Sequence, residues 1–492
     1  MKAIKTDIPE NKGTFRSMFR KMLDGYAARS IGYFCSSSVM KKILVRLEKK
    51  MRQEMMRNER YPKKVQEEKY CMYRNLILAI LKSIENAKKS PNVQKAIIRA
   101  VKNVSLDKKD RTAKFTKKYG RKPPALLVIG PGKFCNLKCT GCYANSSAAD
   151  SEKIEWDVLD RIMDEKEKLW GSYLTVITGG EPLLYKSQGK TLLDIAKKHS
   201  DNYFVMFTNG TVIDKSMAKK IQEAGNITPA ISVEGLEEET DDRRGKGTHK
   251  KIMEAMANLR EVGVPFGISL TATHDNAGAI ARDDMIDFYF KENGALYGLI
   301  FQLMPIGRAA DLDQMVDAEQ RIRLLRQTQR LARERKIFLV DFWSNGCLSD
   351  GCISAGRPDG YLYIDWNGNV TPCVFNPYSP VNINDVYRKG GDLNDILDEP
   401  FFESIRKWQK DYALDRKPEE MGNWLIPCPI KDHYKEMKKM IDEHHPKPID
   451  EASRLAMSDR KYEKGLCEYG EKVAAVSDPI WKKEYLEEKK KN

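Results

Sequence analysis

The middle of this 492-residue chain predicts an α/β fold with a parallel sheet. From residue 123 onward, short apolar runs bounded by turn-forming residues alternate with longer stretches that carry apolar residues at helical spacing. Six such runs occur, and each is separated from the next by a segment long enough for a crossover helix. This alternation builds right-handed βαβ units, whose strands lie parallel in one sheet.

The predicted elements also indicate where a functional site should lie. Strands are expected at 125–130, 173–178, 203–207, 228–233, 266–271 and 298–302, and helices at 156–168, 191–198, 215–223, 249–262, 283–293 and 318–333. The carboxyl ends of parallel strands meet on one side of the sheet, and active sites of such folds lie there. The loops that follow the strands are therefore the first candidates for chemistry.

Three cysteines follow the first predicted strand at C-x3-C-x2-C spacing. They are Cys135, Cys139 and Cys142. Thiolates are the usual protein ligands of iron–sulfur clusters, so this set can hold three irons of a [4Fe–4S] cluster and leave the fourth iron open. The alternative is a zinc site or three unrelated thiols. A four-coordinate zinc ion would need a fourth Cys or His close by, and the next candidate is far away in the sequence.

A Gly-Gly-Glu-Pro motif, running from Gly179 to Pro182, follows the second predicted strand. The two motifs, in this order and spacing, resemble those of the radical S-adenosylmethionine (SAM) enzymes, and the resemblance covers residues 122–340. It implies a partial (β/α)6 barrel in which the three cysteines hold a [4Fe–4S] cluster and SAM binds at the open iron. One feature departs from the family pattern, because Gly141 stands where an aromatic residue usually precedes the third cysteine, and Tyr143 follows instead.

The resemblance also implies roles for the second loop. Gly179 and Gly180 would let the backbone approach a ligand closely, since glycine has no Cβ atom. Glu181 would accept hydrogen bonds from the ammonium group of the SAM methionine moiety, and Pro182 closes the motif. All four residues are therefore expected at the SAM site.

Later strand ends supply the remaining candidates for SAM binding. Ser232 and Glu234 follow the fourth predicted strand in a Ser-x-Glu-Gly sequence, where related enzymes carry Asp in place of Glu. Glu234 would accept from the SAM hydroxyl groups or from the substrate. Arg243 or Arg244 would pair with the SAM carboxylate, because guanidinium binds carboxylate through a bidentate fork. Met304, after the sixth strand, would form part of an apolar floor for adenine.

A second set of cysteines lies in the C-terminal third, at Cys347, Cys352, Cys373 and Cys428. The stretch 361–374 predicts a β-hairpin with an Asn-Gly turn. Cysteines that flank a hairpin, with a Gly-x4-Cys sequence, resemble the SPASM or Twitch auxiliary-cluster domains. The dense downstream cysteine run is missing, so the resemblance implies one auxiliary [4Fe–4S] cluster, with Cys352, Cys373 and Cys428 as the better ligands and Cys347 as the candidate fourth. Structural thiols or a zinc site are the alternative.

The charge of the chain is unevenly divided. The net charge is +15, yet residues 1–122 hold 33 Lys and Arg against 11 Asp and Glu, a net of +22, and the remainder carries −7. We therefore expect a basic helical arm at 1–122, a radical SAM domain at 123–340, an α+β auxiliary-cluster domain at 341–440 and a charged helical tail at 441–492.

Two interpretations of the basic arm stay open. Amphipathic stretches at 39–55 and 70–87 predict helices that pack on the barrel and leave a basic face in water. Alternatively, this face lies on an anionic membrane surface, where each Lys or Arg adds about 1 kcal/mol. A nucleic-acid partner is not expected, because the arm has no recognisable binding motif and its aromatic residues form no stacking platform.

Cysteine use and hydropathy indicate a reducing compartment. Ten cysteines, several clustered at metal-ligand spacing, are too sparse in a chain of this length for a secreted disulfide framework. The first residues lack the apolar core of a signal peptide, and no apolar run reaches the roughly 18 residues of a transmembrane helix. We expect a cytoplasmic protein, with peripheral contact at the inner membrane surface as an option, that takes electrons from a one-electron reductant such as ferredoxin or flavodoxin.

The resemblance implies a reaction class and leaves the substrate open. One electron cleaves SAM bound at the open iron, and the resulting 5′-deoxyadenosyl radical removes hydrogen from an unactivated C–H bond. The main hypothesis is a lipid hydrocarbon substrate, because the stretches 131–144 and 229–235 are similar to proteins proposed to join acyl tails into membrane-spanning lipids. A SPASM-type peptide maturase is the alternative. A non-enzymatic iron–sulfur protein that binds nucleic acid is disfavoured by the Gly-Gly-Glu-Pro motif.

Overall fold

The computed structural model describes residues 38–106, 108–308 and 311–487. The first 37 residues of the basic arm lie outside the described part of the chain, and so do the predictions made for them. The described residues form a ten-stranded main sheet, two two-stranded sheets and a series of helices.

Most strands of the main sheet lie beside the strand that precedes or follows them in the sequence. Numbered along the chain, the strands are β1 (Leu127–Ile129), β2 (Leu174–Ile177), β3 (Tyr203–Thr208), β4 (Ile227–Val233), β5 (Gly267–Ala272), β6 (Gly298–Gln302), β7 (Leu339–Asp341), β8 (Tyr363–Ile364), β9 (Asn369–Thr371) and β10 (Val381–Asn382). Their order across the sheet is β10-β9-β8-β1-β2-β3-β4-β5-β6-β7. From β1 to β7, each strand pairs in parallel with the next, as βαβ units require.

The helices fall into three groups along the chain. The arm contributes α1 (Ser38–Met55), α2 (Lys63–Asn86), α3 (Pro91–Val101) and α4 (Lys108–Tyr119). The strand–helix section contributes α5 (Trp156–Trp170), α6 (Leu192–Lys198), α7 (Lys215–Ala224), α8 (Glu237–Arg244), α9 (Thr248–Val262), α10 (Ala277–Ile280), α11 (Asp283–Asp287) and α12 (Ala318–Arg330). The C-terminal part contributes α13 (Gly346–Ser349), α14 (Ile383–Arg388), α15 (Pro400–Gln409), α16 (Tyr434–His444), α17 (Glu451–Ser458) and α18 (Arg460–Trp481).

The predicted α/β alternation is confirmed, and local capping explains the element boundaries. Helix α7 begins after Asp214, whose carboxylate accepts from the backbone N–H of Met217 at 2.7 Å. Helices α7 and α9 each end at a glycine, Gly225 and Gly263, in the left-handed conformation that favours this residue. Helices α11 and α12 both continue into a π-helical turn, so the predicted stretches 283–293 and 318–333 are each irregular at their C-terminal end.

Four strands, β7 to β10, extend the sheet beyond the six that the sequence predicts for its parallel section. Strand β7 pairs in parallel with β6, and β8 pairs in parallel with β1. Strands β8 and β9 form the predicted hairpin, which joins the main sheet instead of forming a separate one. The sheet therefore continues past residue 340. Strands of two or three residues are too short to show a periodic pattern, and the partner of β8 is far away in the sequence.

Both faces of the main sheet carry apolar side chains. Ile129, Ile177 and Ile300 are at most 1% exposed and join the core shared with the surrounding helices. Their neighbours in the same strands, Val176 and Leu299, point the other way and line an internal cavity. Successive side chains of a strand alternate between faces, so a sheet that is covered on both sides needs nearly continuous apolar runs.

The described part of the basic arm packs against the barrel. The Asn75 side chain in α2 is 1% exposed and donates to the carbonyl oxygens of Ala332 and Ile337 at 3.0 Å each. Lys69 pairs with Asp350 at 2.5 Å. These contacts, together with apolar residues of α2 and α3 that join the main core, make residues 38–122 a helical cap on the strand–helix section.

The outer side of this cap is basic. Several of its cations are exposed, namely Arg46, Lys49, Arg52, Lys82, Lys95, Lys114 and Lys117. Among the described residues, no helix combines the length and apolar character that crossing a bilayer requires.

The docking of the cap can be tested with Asn75→Ala. The change removes the Asn75 donor from the Ile337 carbonyl and one of two donors from the Ala332 carbonyl, which still accepts from Arg74 at 2.6 Å. Loss of a donor to a buried carbonyl typically costs about 1–3 kcal/mol of unfolding free energy. We therefore expect a lower urea midpoint, measured on the apoprotein by circular dichroism. Lys82→Ala on the exposed side of the same helix should leave the midpoint within experimental error, and equal midpoints for the two variants would contradict this packing.

Candidate active site

A cavity of about 340 Å³ opens where the parallel strands end. This volume lies within the range usual for small-molecule sites. Its walls come from the loops after β1, β2, β3 and β6, from inward-facing side chains of the strands, and from the C-terminal part of the chain. The position agrees with the expectation that chemistry occurs at the carboxyl ends of the strands.

The three cysteines of the first loop all line this cavity. Cys135 is buried, and its sulfur accepts from the backbone N–H of Leu137 at 3.5 Å and from the Asn209 side chain at 3.8 Å. Burial raises the pKa of the free Cys135 thiol to about 12. The N–H donors act in the opposite direction, because they stabilise negative charge on the sulfur. The loop thus presents thiols together with groups that suit an anionic metal cluster.

The thiols do not form a site for a single metal ion. Within the described ranges, no three Cys, His, Asp or Glu side chains converge closely enough to hold one ion. The arrangement therefore differs from the tetrahedral set that the zinc alternative would require. An iron–sulfur cluster binds each thiolate through a different iron, so its ligands are spread more widely.

Gly180 lies against the backbone of the cysteine loop. A Cβ atom at this position would come within 2.1 Å of the Phe134 carbonyl oxygen and 2.3 Å of that of Lys133. The Gly180 N–H donates to the Gly132 carbonyl at 2.9 Å. Glycine at this position therefore allows the second loop to pack directly on the first. The close approach is to protein backbone, whereas the sequence predicts a close approach to a ligand.

Glu181 differs from the prediction that it accepts from the SAM ammonium group. Its carboxylate is 2% exposed and accepts from Thr208 Oγ1 at 2.7 Å and from the backbone N–H groups of Asn209 at 2.8 Å and Leu183 at 3.1 Å. Burial raises the pKa of Glu181, and these donors lower it. The carboxylate therefore holds the loops after β2 and β3 together, and Pro182 follows it as the first residue of a short 3-10 turn.

Glu234 is likewise occupied by the protein and does not reach out to a ligand. It is fully buried, and its Oε1 atom accepts from Arg243 at 2.5 Å and from Arg244 Nε at 2.7 Å. Its Oε2 atom accepts from the Thr271 backbone N–H at 3.0 Å. The role as an acceptor for SAM hydroxyls stays a prediction. In this structure, burial and donors from three residues hold the carboxylate behind the cavity wall.

The two arginines bring positive charge to the cysteines. Both line the cavity beside Ser232. Burial alone would lower the pKa of Arg244, but Glu234 and the thiols of Cys139 and Cys142 raise it above its usual value. The guanidinium groups thus lie at the cavity wall with their charge shared between Glu234 and the cysteine loop.

The remaining predicted residues also reach the cavity. Gly179, Ser232 and Met304 line it, and the Ser232 hydroxyl lies 3.2 Å from that of Ser269. Tyr143 follows the third cysteine, next to the departure from the family pattern at Gly141. Its hydroxyl accepts from the Gly179 N–H at 3.0 Å, so it ties the cysteine loop to the second motif.

Aromatic residues that the sequence did not single out form the far wall of the cavity. Phe301, Phe342 and Phe375 pack together with ring centroids 5.5 to 5.9 Å apart. They come from β6, the segment after β7 and the segment after β9. These three phenylalanines are far apart in the sequence, and no motif indicates that the fold brings them together.

The second cysteine set lies behind this wall. Tyr361 hydrogen-bonds to the Cys373 thiol, and its pKa is raised first by burial and then by the nearby thiols of Cys373, Cys352 and Cys428. Residues adjacent in the chain to two of these cysteines, Ile353 and Val374, line the cavity. The structure thus brings three of the four predicted cysteines together.

Cys347 lies apart from those three cysteines. Its thiol contacts Glu68 of the arm, and burial and this carboxylate raise its pKa well above the ordinary value. It belongs to a separate apolar cluster with Trp424 and Leu425. A Cβ atom at the preceding Gly346 would meet the Trp424 carbonyl at 2.3 Å, so the short helix α13 is pressed against this cluster. The placement does not support Cys347 as the fourth ligand.

These features place three closely spaced cysteines on a cavity at the carboxyl ends of the parallel strands. The model of the radical SAM superfamily matches residues 129–279, and that of SPASM, an iron–sulfur cluster-binding domain, matches residues 352–419. The chain therefore contains a radical SAM domain followed by a SPASM domain. Its cofactors are accordingly SAM, a [4Fe–4S] cluster that binds SAM, and an auxiliary iron–sulfur cluster in the SPASM domain.

Curated relatives cover several reactions. An AdoMet-dependent heme synthase of Methanosarcina barkeri is 25% identical over 53% of this chain and 80% of its own length. The sporulation killing factor maturation protein SkfB of Bacillus subtilis is 28% identical over 49% of this chain and 57% of its own. A cysteine-type anaerobic sulfatase-maturating enzyme of Clostridium perfringens is 25% identical over 52% of this chain and 70% of its own length. Among solved structures, Streptococcus suis SuiB bound to S-adenosylmethionine matches with a TM-score of 0.49 and 19% identity. The match covers 66% of this chain and 76% of the SuiB chain.

The contact between the two loops can be tested with Gly180→Ala. The added methyl group would overlap carbonyl oxygens of the cysteine loop, so we expect weaker SAM binding and less iron after reconstitution. Iron analysis and equilibrium dialysis with labelled SAM measure both. Gly278→Ala is the matched control, because a Cβ atom there meets nothing within 4 Å. Full iron content and unchanged SAM affinity in Gly180→Ala would contradict the proposed packing constraint.

Proposed function

We propose that Cys135, Cys139 and Cys142 hold the [4Fe–4S] cluster that binds SAM. The observation that carries this proposal is their common position on one cavity, with N–H donors directed at the Cys135 sulfur. Arg244 supports it, because a guanidinium near Cys139 and Cys142 offsets the negative charge of thiolate ligands.

The part of the cavity next to these cysteines is the proposed SAM site. Gly179, Gly180, Ser232 and Met304 line it, and Arg244 offers a cation to the SAM carboxylate. Glu181 and Glu234 act from behind, since they hold the loops and the arginines in place. When bound, the cluster and SAM supply the radical that removes hydrogen from an unactivated C–H bond, and the protein supplies orientation and a dry cavity.

Cys352, Cys373 and Cys428 are the proposed ligands of the auxiliary [4Fe–4S] cluster. None of the three lines the cavity, although Ile353 and Val374 do. A substrate in the cavity would therefore meet the side chains next to these cysteines and not their sulfur atoms. This arrangement favours electron uptake by the auxiliary cluster over direct binding of the substrate to it.

The reacting group of the substrate should be uncharged and largely apolar. The cavity wall opposite the proposed SAM site consists of Phe301, Phe342, Phe375 and aliphatic side chains. The two arginines that line the cavity share Glu234, so a carboxylate-rich substrate would find their charge already partly neutralised. A hydrocarbon side chain or tail matches this wall better than a polyanion does.

The proposed substrate is a polypeptide, so the enzyme would act as a SPASM-type peptide or protein maturase. Two of the relatives above are named for maturation, one of a killing factor and one of a sulfatase. An apolar cavity would then receive one side chain while the rest of the polypeptide lies outside. A one-electron reductant is required, for which a ferredoxin or flavodoxin is the proposed partner.

A lipid hydrocarbon tail is the second candidate. Two observations favour it, namely the apolar wall of the cavity and the exposed cations on the helical cap. Val45 and Tyr73, which are 64% and 42% exposed, lie on the same cap and would suit peripheral contact with an anionic membrane surface.

The function is tested by following 5′-deoxyadenosine. Reduced, reconstituted protein with SAM should release this product, and absence of release would overturn the radical SAM proposal. Expression in a host then separates the substrates, because a maturase yields peptides that have lost hydrogen whereas a lipid enzyme yields joined tails. Protein with Cys139→Ala should produce neither change. Joined lipid tails with an unaltered proteome would replace the first candidate by the second.

The aromatic wall gives a sharper test on the same assay. In Phe375→Ala the substrate-dependent part of 5′-deoxyadenosine formation should fall, whereas release without substrate should persist. Phe375 packs on the rings of Phe301 and Phe342, and its contact with Tyr143 of the cysteine loop is a more distant edge contact, with ring centroids 6.4 Å apart. Tyr73→Ala on the exposed cap is the control and should retain both activities. An equal fall in both activities of Phe375→Ala would contradict a substrate role for this wall.

Iron content tests the assignment of the cysteines. Two [4Fe–4S] clusters amount to about eight irons per chain, so the double change Cys352→Ser and Cys373→Ser should leave about four. Cys347→Ser should retain about eight, because this thiol lies with Glu68. The partly exposed Cys467 serves as the control for an unrelated thiol. Loss of iron in Cys347→Ser would show that this residue moves to ligate the auxiliary cluster.

A further inference from the structure

We propose that Arg308, which follows β6, is a positioning residue that holds the cysteine loop in the shape that binds the cluster and SAM. Its backbone N–H donates to the Cys142 carbonyl at 2.9 Å, and its Nη1 donates to the Cys139 carbonyl at 2.7 Å. Two of the three cysteines are therefore held through their own carbonyl groups. The inference rests on the proposed ligation by Cys135, Cys139 and Cys142.

The guanidinium spans the whole turn that contains these cysteines. Its Nη2 donates to the Ser146 carbonyl at 2.6 Å and its Nε to the Asn145 side-chain oxygen at 3.1 Å. The planar fork of Arg can make this divergent set of bonds, whereas the single ammonium of Lys cannot. The bonds join both sides of the turn, so they fix its curvature as well as its position.

Gly307 makes this approach feasible. Its φ is +64°, and a Cβ atom there would lie 2.1 Å from the Tyr143 carbonyl oxygen and 2.6 Å from that of Cys142. The chain after β6 therefore passes directly against the end of the cysteine loop. The pair Gly307-Arg308 acts as a unit, because the glycine allows the contact and the arginine secures it.

The charge of Arg308 adds an electrostatic effect. Its four hydrogen bonds go to carbonyl and amide oxygen atoms, so within the described residues its charge is balanced by dipoles at hydrogen-bond distance. Arg243 and Arg244 differ, since both pair with Glu234. A cation beside thiolate ligands stabilises the more negative, reduced form of a cluster, so Arg308 should raise the reduction potential of the SAM-binding cluster.

The test compares Arg308→Ala, Arg308→Gln and Arg308→Lys in the full reconstituted protein. Residues that support metal ligands typically contribute 10- to 100-fold, so SAM affinity should fall by roughly this factor in the Ala and Gln variants. The potential of the SAM-binding cluster, measured by electron paramagnetic resonance during redox titration, should also fall in both. Arg308→Lys should keep the potential near that of the parent protein and still lose SAM affinity.

Arg260→Ala is the matched control, because Arg260 also donates to a loop carbonyl, that of Asn293, far from the cysteines. The proposal is overturned if Arg308→Ala and Arg260→Ala agree in SAM affinity and potential. It is also overturned if the urea midpoint of the Arg308→Ala apoprotein falls together with SAM affinity and potential, because a general loss of stability would then explain both changes. If Arg308→Ala does not fold, the Lys and Gln variants carry the comparison. Persistence of the SAM-cluster signal in Cys135→Ala would instead disprove the proposed ligands.

Discussion

The backbone of the cysteine loop is held by hydrogen bonds from the loops of other strands, and the site depends on this arrangement. Gly180 donates to Gly132 from the end of β2, and the Thr140 N–H donates to the Arg243 carbonyl beyond β4. Arg308 donates to Cys142 from the end of β6. These partners are far apart in sequence, and they meet because the carboxyl ends of parallel strands share one side of the sheet. The fold therefore supplies the rigidity that a loop with three adjacent ligands lacks by itself.

Buried carboxylates provide the second level of this support. Glu181 lies in the loop after β2, and Glu234 directly follows β4. The sequence suggests ligand-binding acids at both positions, yet each carboxylate accepts hydrogen bonds from protein donors. A buried carboxylate is stable only when its charge is compensated by hydrogen bonds or by a cation. Glu181 satisfies this requirement with Thr208 and Asn209, and Glu234 with two arginines. The acids thus act through the groups that they hold in place.

The sequence predicts those features that depend on residues close together in the chain. It does not predict features that depend on contacts between distant residues. The parallel strands and their helices carry local apolar periods, so their existence and order could be predicted. The hairpin of β8 and β9 could also be predicted from its Asn-Gly turn, but the pairing of β8 with β1 could not, because it joins residues far apart in the sequence. The positions of Glu181, Glu234 and Cys347 depend on which donors or apolar groups surround them in space. Motif spacing identifies residue types at a site, but it does not show whether a side chain faces the ligand or the protein behind it.

The pairing of β8 with β1 explains how the two cysteine sets are arranged. The strands run in parallel, so Tyr361, just before β8, lies toward their amino ends, whereas Cys135 follows β1 at the carboxyl end. Tyr361 contacts Cys373, so the second cysteine set lies at the opposite end of the strands from the first. The cavity with its aromatic wall lies between them. Under the proposed function, an electron that passes from a substrate near Cys135 to the auxiliary cysteines would cross these packed aromatic side chains, which exclude water. The wall that we propose to receive an apolar substrate group would thus also separate the substrate from the second set of thiols.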